Sequence, residues 1–192
     1  GDICKYDNIM YFINTIGKNS CDLITCDGGI DYSKNFTNQE SESYNFIYNE
    51  ILLALKLQNQ GGTLILKIFD IFNTNTIQLI YLLYNVYNSI TIYKPYTSRN
   101  TNSEKYLICQ KYNYDKNIIH LLFDNFNNKN LNLHIPKSFF DDLNYYNDIY
   151  CEKQNNNIQN VLNLLKSNSI YIDKPNINQI TKAKEWCKTY NL

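Results

Sequence analysis

The chain has 192 residues, which is enough for one domain with a hydrophobic core and a small appendage. Its 18 basic and 18 acidic residues balance, so the overall charge gives no sign of a nucleic-acid partner, although a local basic patch is compatible with it. No run of about 18 apolar residues occurs and the first residues do not form a signal peptide, so we expect a soluble protein with no membrane partner.

The cysteines and histidines of the sequence indicate neither a metal site nor a disulfide framework. The six cysteines include no Cys-x-x-Cys pair, and the only histidines are His120 and His134. Their spacings match no zinc site and no small disulfide scaffold. We therefore expect an intracellular protein with reduced thiols and no bound metal.

The first half of the chain alternates between strand and helix patterns. In order, the residues predict a strand end and turn over 1–4, a helix over 7–16, a strand over 22–27, a helix over 39–58, a strand over 63–69, a helix over 73–87, and strands over 89–93 and 104–110. Such alternation is typical of an α/β fold with a parallel sheet and helices on both faces. The last two strands are joined by a short loop without a helix, which indicates one antiparallel strand at the end.

The second half of the chain has a helical character. Apolar residues recur at helical spacing over 118–126, 139–150, 158–165 and 177–190, with Asn-rich or Pro-containing breaks between them. The Gln-Asn-Asn-Asn segment at 154–157 is compatible with a flexible loop. We therefore predict a sheet domain over residues 1–112 and a helical extension over 113–192 packed on it.

Three charged residues lie at the ends of predicted strands. Asp27 ends one strand, Lys67 is near the end of the next, and Glu104 begins the last. If the last strand is antiparallel, its start lies at the same sheet edge as the ends of the others, and ligands of open α/β sheets bind at that edge. The cluster is either a structural ion-pair group or a lysine that handles a proton. Because two carboxylates favour the ammonium form, a basic lysine needs a second cation, and no candidate for it is evident.

Three segments, 22–29, 62–70 and 94–106, have the motifs Asp-Leu-Ile-Thr-Cys-Asp-Gly-Gly, Gly-Thr-Leu-Ile-Leu-Lys-Ile-Phe-Asp and Lys-Pro-Tyr-Thr-Ser-Arg-Asn-Thr-Asn-Ser-Glu-Lys-Tyr. Together and in this order they resemble the FtsJ-like RNA ribose 2′-O-methyltransferases, especially the mRNA cap-specific branch of eukaryotes and large DNA viruses. The resemblance covers residues 1–112. It implies a Rossmann-like S-adenosylmethionine-dependent methyltransferase sheet, mostly parallel with one antiparallel strand.

The resemblance also implies catalytic roles. The family uses a Lys-Asp-Lys-Glu tetrad, and Asp27, Lys67 and Glu104 match its last three members. A lysine held by acids can accept or steer the proton of a ribose 2′-hydroxyl while the oxygen attacks the methyl group of S-adenosylmethionine. This chemistry requires no metal.

The resemblance assigns the cofactor to residues near the first two strand ends. The side chain of Asp2 would accept from the adenine amine, and Ile3 would contribute its backbone, although Asp2 is also a common turn residue. Asp27 and Gly28 would contact the cofactor, and Gly28 and Gly29 would let the backbone come close to a ligand.

The loop before the last strand resembles the RNA-contacting loop of the family. Ser98, Arg99 and Ser103 would contact RNA, with the arginine on a phosphate, and Lys94 either joins them or only flanks Pro95. A solvated loop without RNA contacts is the alternative interpretation.

The chain departs from the family at its start. The Gly-rich cofactor loop and the first catalytic lysine are absent, and both are expected upstream of Gly1. We therefore predict that the chain is the C-terminal portion of a longer protein, and that it binds S-adenosylmethionine weakly and turns over poorly by itself.

Three functions follow from the resemblance. Methylation of capped mRNA at the first transcribed nucleotide is favoured, because ribosomal and transfer RNA enzymes usually have Asp-x-Ala-Pro where this chain has Asp-Gly-Gly from Asp27. A ribosomal or transfer RNA ribose 2′-O-methyltransferase is one alternative. A non-catalytic RNA-binding or scaffold subunit is the other, since a fold can outlive its activity.

Overall fold

The computed structural model describes residues 1–29, 38–167, 175 and 177–191. The chain forms a mixed α/β structure in which a helix precedes each of the first three strands, the fourth strand follows the third without a helix between them, and further helices follow. In chain order the elements are α1 (Tyr6–Ile16), β1 (Cys21–Cys26), α2 (Gln39–Leu57), β2 (Gln58–Ile68), α3 (Thr74–Val86), β3 (Tyr87–Tyr93), β4 (Lys105–Tyr112), α4 (Lys116–Asp124), α5 (Lys137–Lys166) and α6 (Ile177–Tyr190).

The four strands form one sheet in the order β1-β2-β4-β3. Strands β1 and β2 are parallel, while β4 is antiparallel to β2 on one side and to β3 on the other. The mostly parallel sheet with a single antiparallel strand is therefore confirmed. Although β4 is the last strand in the chain, it lies inside the sheet between β2 and β3, so β1 and β3 are the edge strands.

The two faces of the sheet differ in burial. On one face, Leu66 and Leu107 are paired across β2 and β4 and both are fully buried under the helices. On the other face, the paired Ile65 and Ile108 are only half-buried, and Leu23 of β1 is 59% exposed. The prediction of helices on both faces is wrong for the described residues, because no described helix buries this second face. We call it the open face.

The hydrophobic core lies between the buried face and the helices. Helix α2 crosses this core, and its apolar residues pack against Ile9 and Ile13 of α1. The hydroxyl of Tyr48 in α2 donates to the carbonyl of Leu122 in α4 at 2.8 Å, which satisfies a buried polar group and joins α4 to the sheet domain. The Asp115 side chain accepts from two amides at the start of α4 and so caps that helix.

The first residues form a turn, and the strand end predicted over 1–4 is wrong. The Asp2 carboxylate accepts from the Cys4 amide at 2.9 Å, and the Asp2 carbonyl accepts from the Lys5 amide at 3.2 Å. This Asx turn uses locally the backbone groups that a strand would pair with a neighbour. The turn leads directly into α1.

Strand β2 begins earlier than predicted, at Gln58, before the glycine pair. Its register with β1 shifts between two pairs, Cys21 with Gln58 and Leu23 with Thr63. Gly61 lies in this irregular stretch with φ of 82°, a conformation that favours glycine. The glycine pair therefore marks a bulge inside the strand.

The predicted break at residues 154–157 is wrong, because α5 continues through it as one helix of 30 residues. Asn155 and Asn156 are exposed to solvent, so their side chains do not compete with the helical backbone, while Nδ2 of the Asn157 side chain donates to the carbonyl of Lys153 one turn earlier at 2.6 Å. Across the described parts of the chain, every helix is too short or too polar to cross a membrane.

Candidate active site

The three charged residues at strand ends meet at one edge of the sheet. Asp27 directly follows β1, Lys67 is the penultimate residue of β2, and Glu104 directly precedes β4. The ammonium of Lys67 lies 2.8 Å from Oδ1 of Asp27. The side chain of Lys67 is 15% exposed while that of Asp27 is 65% exposed, so the lysine stem lies on the sheet and the carboxylate faces solvent. The ion pair is thus accessible from outside.

Tyr106 links the third residue to this pair. It is the register partner of Lys67 across β2 and β4, and its hydroxyl lies 3.2 Å from Oε1 of Glu104 and 3.4 Å from Oδ1 of Asp27. One phenolic proton can be donated to only one of these carboxylates at a time. Desolvation, together with the two carboxylate charges, raises the pKa of Tyr106 to about 12, so the phenol stays protonated at neutral pH.

Tyr106 belongs to the site although sequence reasoning gave it no role. The available signal was strand alternation, because residues two apart in a strand point to the same side. Tyr106 follows Glu104 at that spacing. A tyrosine two residues after a candidate acid was therefore a candidate neighbour.

Glu50 of α2 is a third carboxylate near the site, and sequence reasoning missed it as well. It is only 7% exposed, and its Oε1 accepts from the Gly28 amide at 3.1 Å. Burial raises the pKa of Glu50 to about 7, the hydrogen bond from Gly28 and the charge of Lys67 work against this rise, and the charge of Asp27 adds to it. The sequence signal for the burial of Glu50 was its position beside an apolar run, because an isoleucine and leucines follow it directly.

The two glycines after β1 have different surroundings. A Cβ on Gly28 would stand 1.7 Å from Cε1 of Phe46 and 2.8 Å from Oε1 of Glu50, so packing against α2 requires a glycine there. A Cβ on Gly29 would meet the Nζ atom of Lys67 at 3.9 Å. Gly29 therefore leaves open the space beside the ammonium, which a side chain would fill.

The residues assigned to the cofactor fit part of such a ligand. Asp2 is exposed, and its turn is held by the Asn8 side chain, which donates to the Asp2 carbonyl at 2.8 Å. An anchored, exposed carboxylate suits an exocyclic amine, and the adjacent Ile3 is half-buried against the core. The amide of Gly28 is already donated to Glu50, so only the carbonyl of Gly28 remains for a ligand.

The loop between β3 and β4 is organised around Lys94. Its ammonium donates to the carbonyl of Asn102 at 2.9 Å, to the side-chain oxygen of Asn102 at 2.8 Å and to the carbonyl of Glu104 at 2.8 Å. A further contact reaches Oγ of Ser98 at 3.3 Å. Desolvation, followed by the charge of Lys105, lowers the pKa of Lys94. In this arrangement Lys94 shapes the loop next to Glu104.

The other residues assigned to RNA differ in accessibility. Ser103 is 7% exposed, and its hydroxyl donates to Oε1 of Gln39 at 3.1 Å. Ser98 is half-buried beside Lys94. Arg99 is exposed and forms no ion pair with a residue in the described ranges, so its guanidinium is the group of this loop that a phosphate could reach.

Comparison with known proteins gives the family of this chain. The profile of the FtsJ-like methyltransferase family matches residues 1–112. A cap-specific mRNA (nucleoside-2′-O-)-methyltransferase 1 of Trypanosoma brucei brucei is 37% identical over 110 residues, which are 57% of this chain and 30% of that protein. The protein of the same name from Dictyostelium discoideum is 33% identical over 174 residues, which are 88% of this chain and 20% of that protein.

Among solved structures, a Plasmodium falciparum protein described as a ribosomal RNA methyltransferase is similar with a TM-score of 0.47 and 22% identity, over 60% of this chain and 63% of that one. The chain spans less than a third of the length of the two curated relatives.

Proposed function

Because the chain belongs to the FtsJ-like methyltransferase family, we propose that it carries the catalytic edge of an enzyme that methylates the ribose 2′-hydroxyl of RNA with S-adenosylmethionine. The observation that carries this proposal is the ion pair of Lys67 and Asp27, joined to Glu104 through Tyr106 at an accessible sheet edge. Once a second cation offsets the carboxylate charge and lets Lys67 lose its proton, a lysine fixed at this position can receive a proton from a hydroxyl that is otherwise a poor nucleophile.

S-adenosylmethionine, when bound, supplies an electrophilic methyl group bonded to a sulfonium sulfur, and this sulfur is the leaving group, released as a thioether. Asp2, Ile3, Asp27 and Gly28 are the residues of this chain that would hold it. With a second cation nearby to favour loss of its own proton, the neutral amine of Lys67 would take the proton of the 2′-hydroxyl as the oxygen attacks the methyl group. The 2.8 Å contact with Asp27 fixes the direction of the lysine, and this positioning lowers the entropic cost of the transfer.

Glu104 acts on this proton transfer from a distance. Its carboxylate accepts from the Tyr106 hydroxyl, which otherwise donates to Asp27. Because it can donate to either carboxylate, the phenol links Glu104 to Asp27 and holds both carboxylates in a fixed arrangement beside Lys67. The carboxylates thereby stabilise the Lys67 ammonium that forms during methyl transfer.

We propose that the RNA is a capped mRNA and that the first transcribed nucleotide is methylated. Two observations support this choice: the cap-specific names of the similar proteins, and the Asp-Gly-Gly segment at Asp27. Such a reaction would take place in the nucleus or cytoplasm, where mRNA is made and used. Arg99 would contact a phosphate of the RNA.

Methyl transfer to short RNA tests this proposal. The full-length protein is incubated with labelled S-adenosylmethionine and with capped or uncapped RNA of the same sequence. We expect transfer to capped RNA only, and a loss of roughly 100-fold or more in Lys67→Ala, whose proton-accepting group is gone. The matched control is Lys116→Ala, an exposed lysine at the start of α4.

The other outcomes redirect the assignment. Transfer that does not depend on the cap would move the substrate to another RNA, such as ribosomal or transfer RNA. RNA binding without transfer would contradict the enzymatic proposal and indicate a binding subunit with the same fold.

A further inference from the structure

Helix α5 lies outside the residues that match the family, yet it contacts both chain segments that flank the candidate active site. The contacts come from Asn147, Tyr150 and Gln154. These positions are three and four residues apart, so they lie on one face of the helix. Each contacts a part of the chain close to Lys67 or Glu104.

Asn147 contacts the segment that follows β2. It is 5% exposed, and its Nδ2 donates to the carbonyl of Ile71 at 2.5 Å. Ile71 is fully buried and lies four residues after Lys67. Because this carbonyl lies outside any helix or strand, the asparagine supplies the partner that a buried backbone group requires. The chain leaving β2 is therefore fixed by α5.

Tyr150 lies against the first residue of β4. The ammonium of Lys105 is 5.7 Å from the centre of the Tyr150 ring and forms a 3.4 Å ion pair with Asp70. The same ammonium donates to the carbonyls of Phe69 at 3.3 Å and Ser103 at 3.1 Å. Since Lys105 is only 3% exposed, this group connects the end of β2, the start of β4 and α5 inside the protein.

Gln154 contacts the loop before β4 directly. Its Nε2 donates to the carbonyl of Thr101 at 3.2 Å. The loop and α5 enclose a narrow gap there, which Lys94 and Lys105 also line. Thr101 lies between Arg99 and Glu104, so this hydrogen bond fixes the loop midway between the exposed arginine and the candidate catalytic acid.

We propose that α5 is a positioning element of the methyl-transfer site, which holds in place the segment after β2 through Asn147 and the loop before β4 through Gln154. This inference rests on the proposed function for its consequence, but the structural coupling can be measured separately. In that function, the helical extension fixes the distance between Arg99, the proposed RNA contact, and the reacting groups.

The test uses Gln154→Ala in the full-length protein, with Asn156→Ala as the matched control. Both changes remove a side-chain amide from α5, but Asn156 is exposed and lies two residues on, on the opposite side of the helix. Gln154 is half-buried and makes its contact outside the core, so we expect both variants to fold. Thermal unfolding verifies this.

Hydrogen exchange gives the first readout. In the loop, the amides of Ser98 and Asn102 donate to the carbonyls of Pro95 and Arg99. We expect their exchange to accelerate about fivefold in Gln154→Ala, because the variant removes one hydrogen bond that closes the loop, and to stay unchanged in Asn156→Ala. Equal exchange in both variants would overturn the positioning role.

Kinetics give the second readout. We expect kcat/KM for RNA to fall about fivefold in Gln154→Ala at an unchanged unfolding midpoint, and the effect of Arg99→Ala to be smaller in that background than in the wild type. Additive effects, or full activity of Gln154→Ala, would contradict the proposal. If the wild type transfers no methyl group, the proposed function fails, whereas faster loop exchange in Gln154→Ala would still support the contact with α5.

Discussion

Lys67 and Tyr106 face each other across β2 and β4, and both reach the carboxylate of Asp27. Removing the phenolic hydroxyl in Tyr106→Phe breaks the link to Glu104 and leaves the ion pair intact. We expect kcat for methyl transfer to fall about tenfold, the effect of one hydrogen bond to a charged group, while the free energy of unfolding changes little. Single-turnover transfer at saturating cofactor measures the change.

The matched control for this prediction is Tyr93→Phe. Tyr93 is the register partner of Tyr106 on the other side of β4 and lies on the same open face, 37% exposed. It loses the same atom away from the carboxylates, so its kcat should equal that of the wild type. Equal loss in both variants would contradict a specific role for Tyr106.

Burial of Glu50 predicts a pH-dependent stability. Its pKa is raised from 4.5 to about 7, so the folded state binds a proton that the unfolded state releases between these values. This contribution makes the wild type less stable as the pH rises from 4.5 to 7, and it is constant above 7. Glu50→Gln keeps an acceptor for the Gly28 amide but cannot ionise.

We therefore expect the variant to gain stability relative to the wild type by roughly 3 kcal/mol across that range, since each unit of pKa shift corresponds to about 1.4 kcal/mol. Urea unfolding from pH 4 to pH 8 measures the difference. Parallel curves for the two proteins would show that Glu50 is not held in a raised-pKa environment. Glu42→Gln, an exposed acid on the same helix, serves as the control.

The two glycines after β1 should differ in their tolerance of alanine. The methyl group added in Gly28→Ala overlaps the Phe46 ring and crowds the Glu50 carboxylate, so both groups must move. We expect this change to lower the free energy of unfolding by about 2 kcal/mol. Gly29→Ala meets the Nζ atom of Lys67 at ordinary contact distance and should leave stability nearly unchanged. Thermal unfolding of both variants makes the comparison.

Phe46→Ala in the Gly28→Ala background should recover part of the lost stability, because the clashing ring is removed. Equal stability of the two single variants would show that Gly28 is not confined by α2.

Arg99 is expected to contribute to RNA affinity through a phosphate. In Arg99→Ala the dependence of log affinity on log salt concentration should decrease by about 0.7, the value for one lost phosphate contact on a single strand. Fluorescence anisotropy with capped RNA at several salt concentrations measures the slope. Lys116→Ala is the control. Lys116 follows Asn113 and Tyr114, which hydrogen-bond to Gln60 near the start of β2, whereas the candidate site lies at the end of that strand. Identical slopes in all three proteins would exclude a phosphate contact by Arg99.

Much of the sheet could be predicted from the sequence because it depends on local patterns and one rule of topology. Short apolar runs ending in Asp27 and Lys67 give the strands, and an antiparallel last strand brings Glu104 to the same edge. The structure places these residues together, with Lys67 and Asp27 in contact. Their catalytic role remains a prediction.

The parts that could not be predicted depend on packing between distant segments. Glu50 is acidic and lies in a helix, and only the approach of Gly28, 22 residues earlier in the chain, shows that it is enclosed. The single helix α5 was hidden by the Asn-rich stretch at 154–157, since asparagine favours turns unless its side chain points to solvent. The open face could not be predicted from the sequence, because the burial of a sheet face depends on which elements pack against it.

The most direct test of the central claim is methyl transfer to capped RNA in which only the first transcribed nucleotide lacks its 2′-hydroxyl. The control RNA lacks the 2′-hydroxyl of the second nucleotide instead. If Lys67 receives a proton from the first 2′-hydroxyl, the full-length protein should methylate the control RNA normally and should lose transfer to the test RNA by roughly 100-fold or more. Equal transfer to both RNAs would contradict the account, because the methyl group would then be accepted by a different atom.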